Sequence, residues 1–207
     1  MSMRKVIVLG AGGHAAVVAE AALAEGWTIL GVLDDDSEKT LPIEGVSHLG
    51  GMSSPPAEVR ALIESGAHVH AAIGDPEIRK SWLEKFDTAT AATIIHPSAC
   101  LSPSARVEAG VFIGPCAVVN ARAQLEIGAI INSGAIVEHD AQVGAYAHLA
   151  PGAILAGEAV VEHDAFVGAG AVVLPGVRIG PGATLGAGSV ALNDVPGKTT
   201  AVGIPAR

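Results

Sequence analysis

Large side chains are almost missing from this 207-residue chain: two Trp, one Tyr and three Phe make up 3% of it, while half of all residues are apolar. An interior without rings has to be filled by Ala, Val, Ile and Leu in shallow, regular layers, which points to repetitive architecture. Basic residues are also scarce, with 12 Lys and Arg against 21 Asp and Glu and a net charge of −9. No basic run or aromatic ladder occurs, so the electrostatic footprint needed to bind nucleic acid is lacking. Cysteine is limited to Cys100 and Cys116, which form no C-x-x-C pair. This excludes a disulfide framework or a zinc knuckle, and both read as small buried hydrophobes. Long apolar runs are absent too: Val6 to Leu9 stops at Gly10, too short for a signal core or a membrane span, so the chain reads as cytoplasmic with no membrane insertion.

What is present is a period. Steps of six from Ile95 meet Leu101, Val107, Ile113, Val119, Leu125, Ile131, Val137, Val143, Leu149, Leu155, Val161, Val167, Val173, Ile179 and Leu185. Four positions after most of these stands an alanine, which reads as a small residue at a corner. A strict six fits neither the 3.6 of an α-helix nor the 2 of an alternating strand. It fits a three-faced coil, each face a short strand with one inward aliphatic, the turns eased by Gly134, Gly152, Gly170 and Gly182. Eighteen residues make one coil, and roughly five coils at about 4.8 Å each give a prism about 25 Å tall. The pattern resembles the left-handed β-helix of the hexapeptide acyltransferase superfamily.

Before the repeats, Lys5 to Leu9 reads as a strand. The loop Gly10-Ala11-Gly12-Gly13-His14-Ala15 and an Ala-rich helix to Glu25 follow. A strand from Thr28 to Leu33 ends in Asp34-Asp35-Asp36. Next come a helix from about Pro56 to Ser65, a strand from His68 to Ile73 and a helix from Pro76 to Phe86. This βαβαβα order implies a small parallel sheet. The predicted organisation is an α/β Rossmann-like half-domain over 1–92, followed by an all-β left-handed parallel β-helix of hexapeptide repeats over 93–207. The glycines match the G-x-G-x-x-A form of a dinucleotide fingerprint, with acids about twenty-four residues on, near a ribose-binding position. About 90 residues is only half a dinucleotide domain, so a nucleotide sugar fits as well as NAD. Gly12 and Gly13 also admit a plainer role in tight strand-to-helix packing. His14 either touches substrate or caps the helix, and His48, His68 and His70 have no sequence partners.

Within the repeats the informative stretch is Asn132-Ser133-Gly134-Ala135-Ile136-Val137-Glu138-His139-Asp140, continued by Tyr146-Ala147-His148. One coil of eighteen places Ala121 beneath His139 and Gly157 above it, leaving an open groove. Acyl transfer needs a base and a donor for the developing oxyanion. His139 suits the first task, with Asp140 or Glu138 fixing its tautomer, and the Gly157 N–H the second. Glu162-His163-Asp164 repeats the same register, and spacing does not choose between the two. His96, His139, His148 and His163 lack the close pair of a three-histidine zinc site, so no metal is expected.

The Gly-Ala-Gly-Gly-His-Ala loop, Leu33-Asp34-Asp35, Ile73-Gly74-Asp75 with Glu77 to Lys80, the Asn132 to Asp140 segment and the ending Val202-Gly203-Ile204-Pro205-Ala206 together resemble one family. It is the sialic acid O-acetyltransferase and bacillosamine/perosamine N-acetyltransferase family. The resemblance implies a homotrimer that binds acetyl-CoA between neighbouring β-helices, with the N-terminal domain holding a nucleotide-linked sugar. It makes His139 the catalytic base and Asp140 its supporting acid. It also puts His148, Gly157 and Asn132 at acetyl-CoA positions, and Gly12, Gly13, His14, Asp34, Asp35 and Gly74 at substrate positions. The activity it implies is N-acetylation at the C4 amine of a 4-amino-4,6-dideoxysugar. The alternatives are O-acetylation of a sialic-acid-like sugar or, outside enzymes, a β-helix scaffold.

Overall fold

The computed structural model describes residues 4–207, which divide into two compact units: one up to Pro97 and one from Ser98 to Arg207. In the first unit the apolar run of the sequence becomes β1 (Lys5–Leu9), whose residues Val6 to Leu9 are fully buried. It is followed by α1 (Gly13–Ala24) and β2 (Thr28–Leu33). The rest of the unit contains β3 (His48–Gly50), α2 (Ala57–Glu64), β4 (His68–Ala71) and α3 (Pro76–Leu83). All four strands are parallel, in the order β3-β2-β1-β4.

The strand β3 interrupts the expected βαβαβα alternation. It is three residues long and ends on glycine, so it carries no hydrophobic period to read. Because β1 lies between β2 and β4, the chain leaves it first on one side and later on the other. That reversal opens a crevice at the carboxyl ends of β1 and β4. The helix α1 packs through Ala15, Val18, Ala19, Ala21 and Ala22, all buried.

In the second unit each six-residue step becomes a two-residue strand whose second member is the ladder aliphatic. Strands eighteen residues apart pair in parallel, as Gln124 with Gln142, Ile130 with His148 and Ile136 with Ile154. Three sheets result, and the unit is a left-handed parallel β-helix. From Ile113 to Leu185 every ladder side chain is at most 1% exposed. The first coil is looser, with Leu101 36% exposed.

Two expectations are corrected. The alanines four positions after each ladder residue do not form the turns. Ala117, Ala123, Ala135, Ala141 and Ala159 are fully buried, filling the prism beside the aliphatics. The left-handed turn falls one position earlier, at Gly134, Gly152 and Gly170 on one corner, but at Arg122, Asp140 and Glu158 on another. Second, Cys100 and Cys116 are exposed rather than buried. Cys100 is the outward member of its strand, and Cys116 occupies a left-handed turn at φ 58°.

Candidate active site

The corner that follows the strands Val118–Val119, Ile136–Val137 and Ile154–Leu155 differs from the other two in its turn residues. At the corner after Ile130–Ile131 the left-handed position is glycine in four successive coils above Cys116: Gly134, Gly152, Gly170 and Gly188. Here it is charged three times running, at Arg122 (φ 60°), Asp140 (φ 60°) and Glu158 (φ 62°). L side chains enter this region only at a cost, so such runs mark sites where something other than stability is served.

His139 stands on this corner with its side chain 55% exposed. Its Nδ1 lies 2.9 Å from Asp140 Oδ2, the geometry of an N–H donating to a carboxylate. Glu138, the other candidate support, instead accepts from the backbone N–H of His139 at 3.3 Å. Asp140 therefore supplies the orientation and leaves Nε2 as the acceptor nitrogen. The Arg122 guanidinium first, and His139 second, hold the Asp140 carboxyl well below the usual carboxylate range. Beside this group the outer face forms a polar hollow of about 380 Å³ lined by Ser104, Arg106, Arg122, Gln124, Asp140 and Gln142.

Gly157 meets the imidazole from the next coil. A Cβ there would lie 2.6 Å from His139 Cε1 and 2.7 Å from Nε2, so only glycine leaves the ring where it is. At the corner after Gln124–Leu125 and Gln142–Val143, the corresponding N–H groups of Ile127 and Ala145 donate to glutamates nineteen residues earlier, Glu108 and Glu126. Glu138 stands nineteen before Gly157 but accepts from the His139 N–H instead, so that carboxylate does not take the Gly157 N–H.

His163 repeats the pairing, with Nδ1 2.8 Å from Asp164 Oδ2. Two features separate it from His139. No arginine holds Asp164, whose Oδ1 is buried without a hydrogen-bond partner among the described residues. One coil on from His163 stands Pro181, which has no N–H to offer an oxyanion. Eighteen-residue spacing would have shown this contrast in the sequence, and Arg122 beneath Asp140 as well.

The remaining β-helix candidates lie elsewhere on the prism. Asn132 is on the preceding corner and His148 on the face leading to it, with Asn132 Nδ2 3.3 Å from His148 Nε2. His148 also meets the Phe166 ring edge-on at 5.2 Å between centroids. Within one chain these two pair with each other, a corner away from the His139 group.

In the N-terminal unit three loops converge at the carboxyl edge of the sheet. Asp34 Oδ2 accepts from the Ala11 N–H at 2.9 Å, tying the glycine loop to the end of β2. Its carbonyl bonds His48 Nε2 at 2.9 Å, giving that histidine a structural task. Asp35 Oδ1 accepts from the Ser53 N–H and hydroxyl at 2.9 and 3.1 Å, and the Ser53 backbone bond is the largest of the effects lowering its pKa. The Gly74 carbonyl accepts from Arg79 Nη1 at 2.8 Å. The tight-packing glycine is Gly10, at φ 103°, where a Cβ would meet Ile73 Cγ1 at 3.0 Å. At Gly12 and Gly13 a Cβ would meet nothing within 4 Å, so packing within the chain does not require glycine there. Gly12 caps α1, and His14 sits half-buried in its first turn, which carries no acidic residue. Among the described residues no group of three His, Cys, Asp or Glu is placed to hold a metal ion, and no helix is long and apolar enough to cross a membrane.

A parallel β-helix of six-residue repeats, with a carboxylate-paired histidine packed against a glycine at one corner, has the architecture of a hexapeptide-repeat transferase. Comparison with known proteins narrows this. The PglD N-terminal domain model matches residues 5–86, and the bacterial transferase hexapeptide model matches 158–192. The solved structure of PerB from Caulobacter crescentus, in complex with CoA and GDP-perosamine, is 37% identical. It superimposes with a TM-score of 0.89 over 100% of this chain and 97% of that one. The acetyltransferase domain of PglB from Neisseria gonorrhoeae FA1090, in complex with acetyl coenzyme A, is 33% identical with a TM-score of 0.88, covering 100% and 99%. UDP-N-acetylbacillosamine N-acetyltransferase of Bacillus subtilis (strain 168) is 37% identical over 113 residues, a stretch that spans 54% of this chain and 51% of that protein. The chain belongs to the family of bacillosamine and perosamine N-acetyltransferases, in which a PglD-type N-terminal domain precedes a hexapeptide β-helix.

Proposed function

We propose that the protein is an acetyl-CoA-dependent N-acetyltransferase acting on the C4 amine of a nucleotide-linked 4-amino-4,6-dideoxysugar of the perosamine or bacillosamine type. The observation that carries this reading is the His139 imidazole, oriented by Asp140 through Nδ1 and set against the Gly157 backbone. The amine nitrogen attacks the thioester carbonyl carbon and the C–S bond breaks. His139 Nε2 takes the ammonium proton and returns it to the departing thiolate, so an amide and free CoA thiol leave the site. The Gly157 N–H faces the carbonyl oxygen as charge collects on it.

Acceptor binding is assigned to the crevice of the N-terminal unit. The exposed backbone at Gly12 and Gly13, with His14 at the start of α1, suits a diphosphate. Asp34, Asp35 and Gly74 shape the surrounding loops. Asn132 and His148 are assigned to acetyl-CoA. Because they sit a corner away from His139, they serve its site only where two β-helices meet, and this supports a homotrimer. An outward aliphatic column, Val118, Ile136, Ile154, Val172 and Val190, also supports it, being an apolar face for a second copy. The reading places the enzyme in the cytoplasm, with its acetyl-CoA supply.

The test is thiol release by purified protein given acetyl-CoA and a panel of UDP- and GDP-linked 4-amino sugars, with hydroxyl-bearing sialic-acid-like sugars as the contrast. Turnover of an amino sugar is expected, and His139→Asn should lower it by about 10²- to 10⁴-fold without loss of assembly. Near-normal acetylation by that variant overturns the assignment. Calorimetry that detects no acetyl-CoA binding would favour a scaffold.

A further inference from the structure

We propose that Arg122 is a positioning residue for acetyl transfer, fixing by a two-point ion pair the Asp140 carboxylate that orients His139. The proposal rests on the reading of His139 as the base. Arg122 Nε lies 2.6 Å from Asp140 Oδ1 and Nη2 lies 2.6 Å from Oδ2. Oδ2 is also the oxygen that meets His139 Nδ1 at 2.9 Å. A planar fork on both oxygens removes the carboxylate's freedom to rotate, and with it the freedom of the imidazole that hangs on one of them.

Folding stability does not account for the pair. The Arg122 side chain is 64% exposed, and ion pairs so open to solvent add little to stability. Both residues occupy left-handed turns, where glycine would be the stabilising choice, as it is at Gly134, Gly152 and Gly170. His163–Asp164 supplies an internal comparison: the same histidine–carboxylate pair, with Tyr146 in place of an arginine one coil below the acid.

At the corner that carries His139, the charged residues on its own coil and on the coils directly below and above are Glu138, Asp140, Arg122 and Glu158. Among the described residues Arg122 is the cation bonded to Asp140, and Arg106, on the coil below Arg122, lines the same hollow. The Arg122 fork keeps Asp140 in place. Removing it should therefore loosen the base.

The test compares Arg122→Gln, Arg122→Gly and Arg122→Lys in the full-length protein, with the nucleotide amino sugar that the wild type acetylates. Arg122→Gln should lower kcat by about 10- to 100-fold, as loss of an outer-shell partner does at histidine metal sites. KM for acetyl-CoA should stay near the wild-type value, so that the loss falls on kcat alone. Arg122→Gly favours the turn, so its melting temperature should not fall, yet its turnover should drop equally. Arg122→Lys, with one-point contact, should recover part of the rate. An unchanged kcat in Arg122→Gln, or full activity in Arg122→Gly, overturns the proposal while leaving His139 as the base if His139→Asn is inactive. If His139→Asn is itself active, both readings fall.

Discussion

Placing a single methyl group at Gly157 should slow the chemistry by about 10²-fold without touching the fold. The Cβ of Gly157→Ala would stand 2.6 Å from His139 Cε1 and 2.7 Å from Nε2. Carbon atoms in contact settle at about 3.5 to 4.0 Å, so the ring must retreat by about 1 Å. The His139 side chain is 55% exposed and free to swing outward, which keeps the folding penalty small. That swing lengthens the 2.9 Å contact from Nδ1 to Asp140 and takes the ring away from Gly157. A displacement of about 1 Å at a reacting group costs on the order of 10²-fold in rate, or about 2.7 kcal/mol of barrier. Single-turnover thiol release at saturating acetyl-CoA and acceptor should show that loss, with the melting temperature nearly unchanged. Adding Gly157→Ala to His139→Asn should cost nothing more, because the methyl acts only through the ring. Single-turnover rates within about threefold of wild type for Gly157→Ala would refute the placement of the imidazole against Gly157 as the catalytic arrangement.

Two further outcomes follow from the same geometry. His163→Asn should keep kcat close to wild type, because Pro181 leaves that corner without an N–H for an oxyanion; loss comparable to His139→Asn would reverse the choice between the two histidines. His70 is 1% exposed, its Nδ1 is 2.8 Å from the Ala92 carbonyl, and burial lowers its pKa to about 4. A histidine less basic in the folded state than in the unfolded state contributes full stability above about pH 6.5, and that contribution is lost as pH falls toward 4. Urea unfolding followed by tryptophan fluorescence should therefore report a loss of about 2 kcal/mol between pH 6.5 and 5, largely abolished in His70→Gln; equal slopes in both proteins would show that this burial does not set the acid response.

The residues divide into those whose meaning is local and those whose meaning comes from stacking. The ladder from Ile113 to Leu185 was legible because each six-residue step repeats one environment, and a repeat contacts only its neighbours. The glycine loop and the acids after β2 were legible for a similar reason, since strand, turn and helix signals adjoin one another there. The strand His48–Gly50 was not, because three residues paired to a distant strand leave no period. The alanines beside the ladder were misread because a small residue serves a turn or a crowded interior equally well, and only the coil's path shows that they point inward. Cys100 and Cys116 were misread likewise: their type favours burial, but their register positions face outward.

By itself, then, the sequence determined the two-part architecture, the β-helix and the histidine–acid motifs at its corners, because those are written in periods and adjacent residues. The eighteen-residue period already set Gly157 over His139; only the tertiary structure decided which side chains join, that Arg122 forks both Asp140 oxygens and that Asp140 rather than Glu138 meets the imidazole. Arg122 lies eighteen residues before Asp140 and Gly157 eighteen after His139, and they become neighbours only because one coil returns the chain to the same corner. The same geometry sets Asn132 and His148 on another corner, because six residues turn the chain onto a new face before eighteen bring it back.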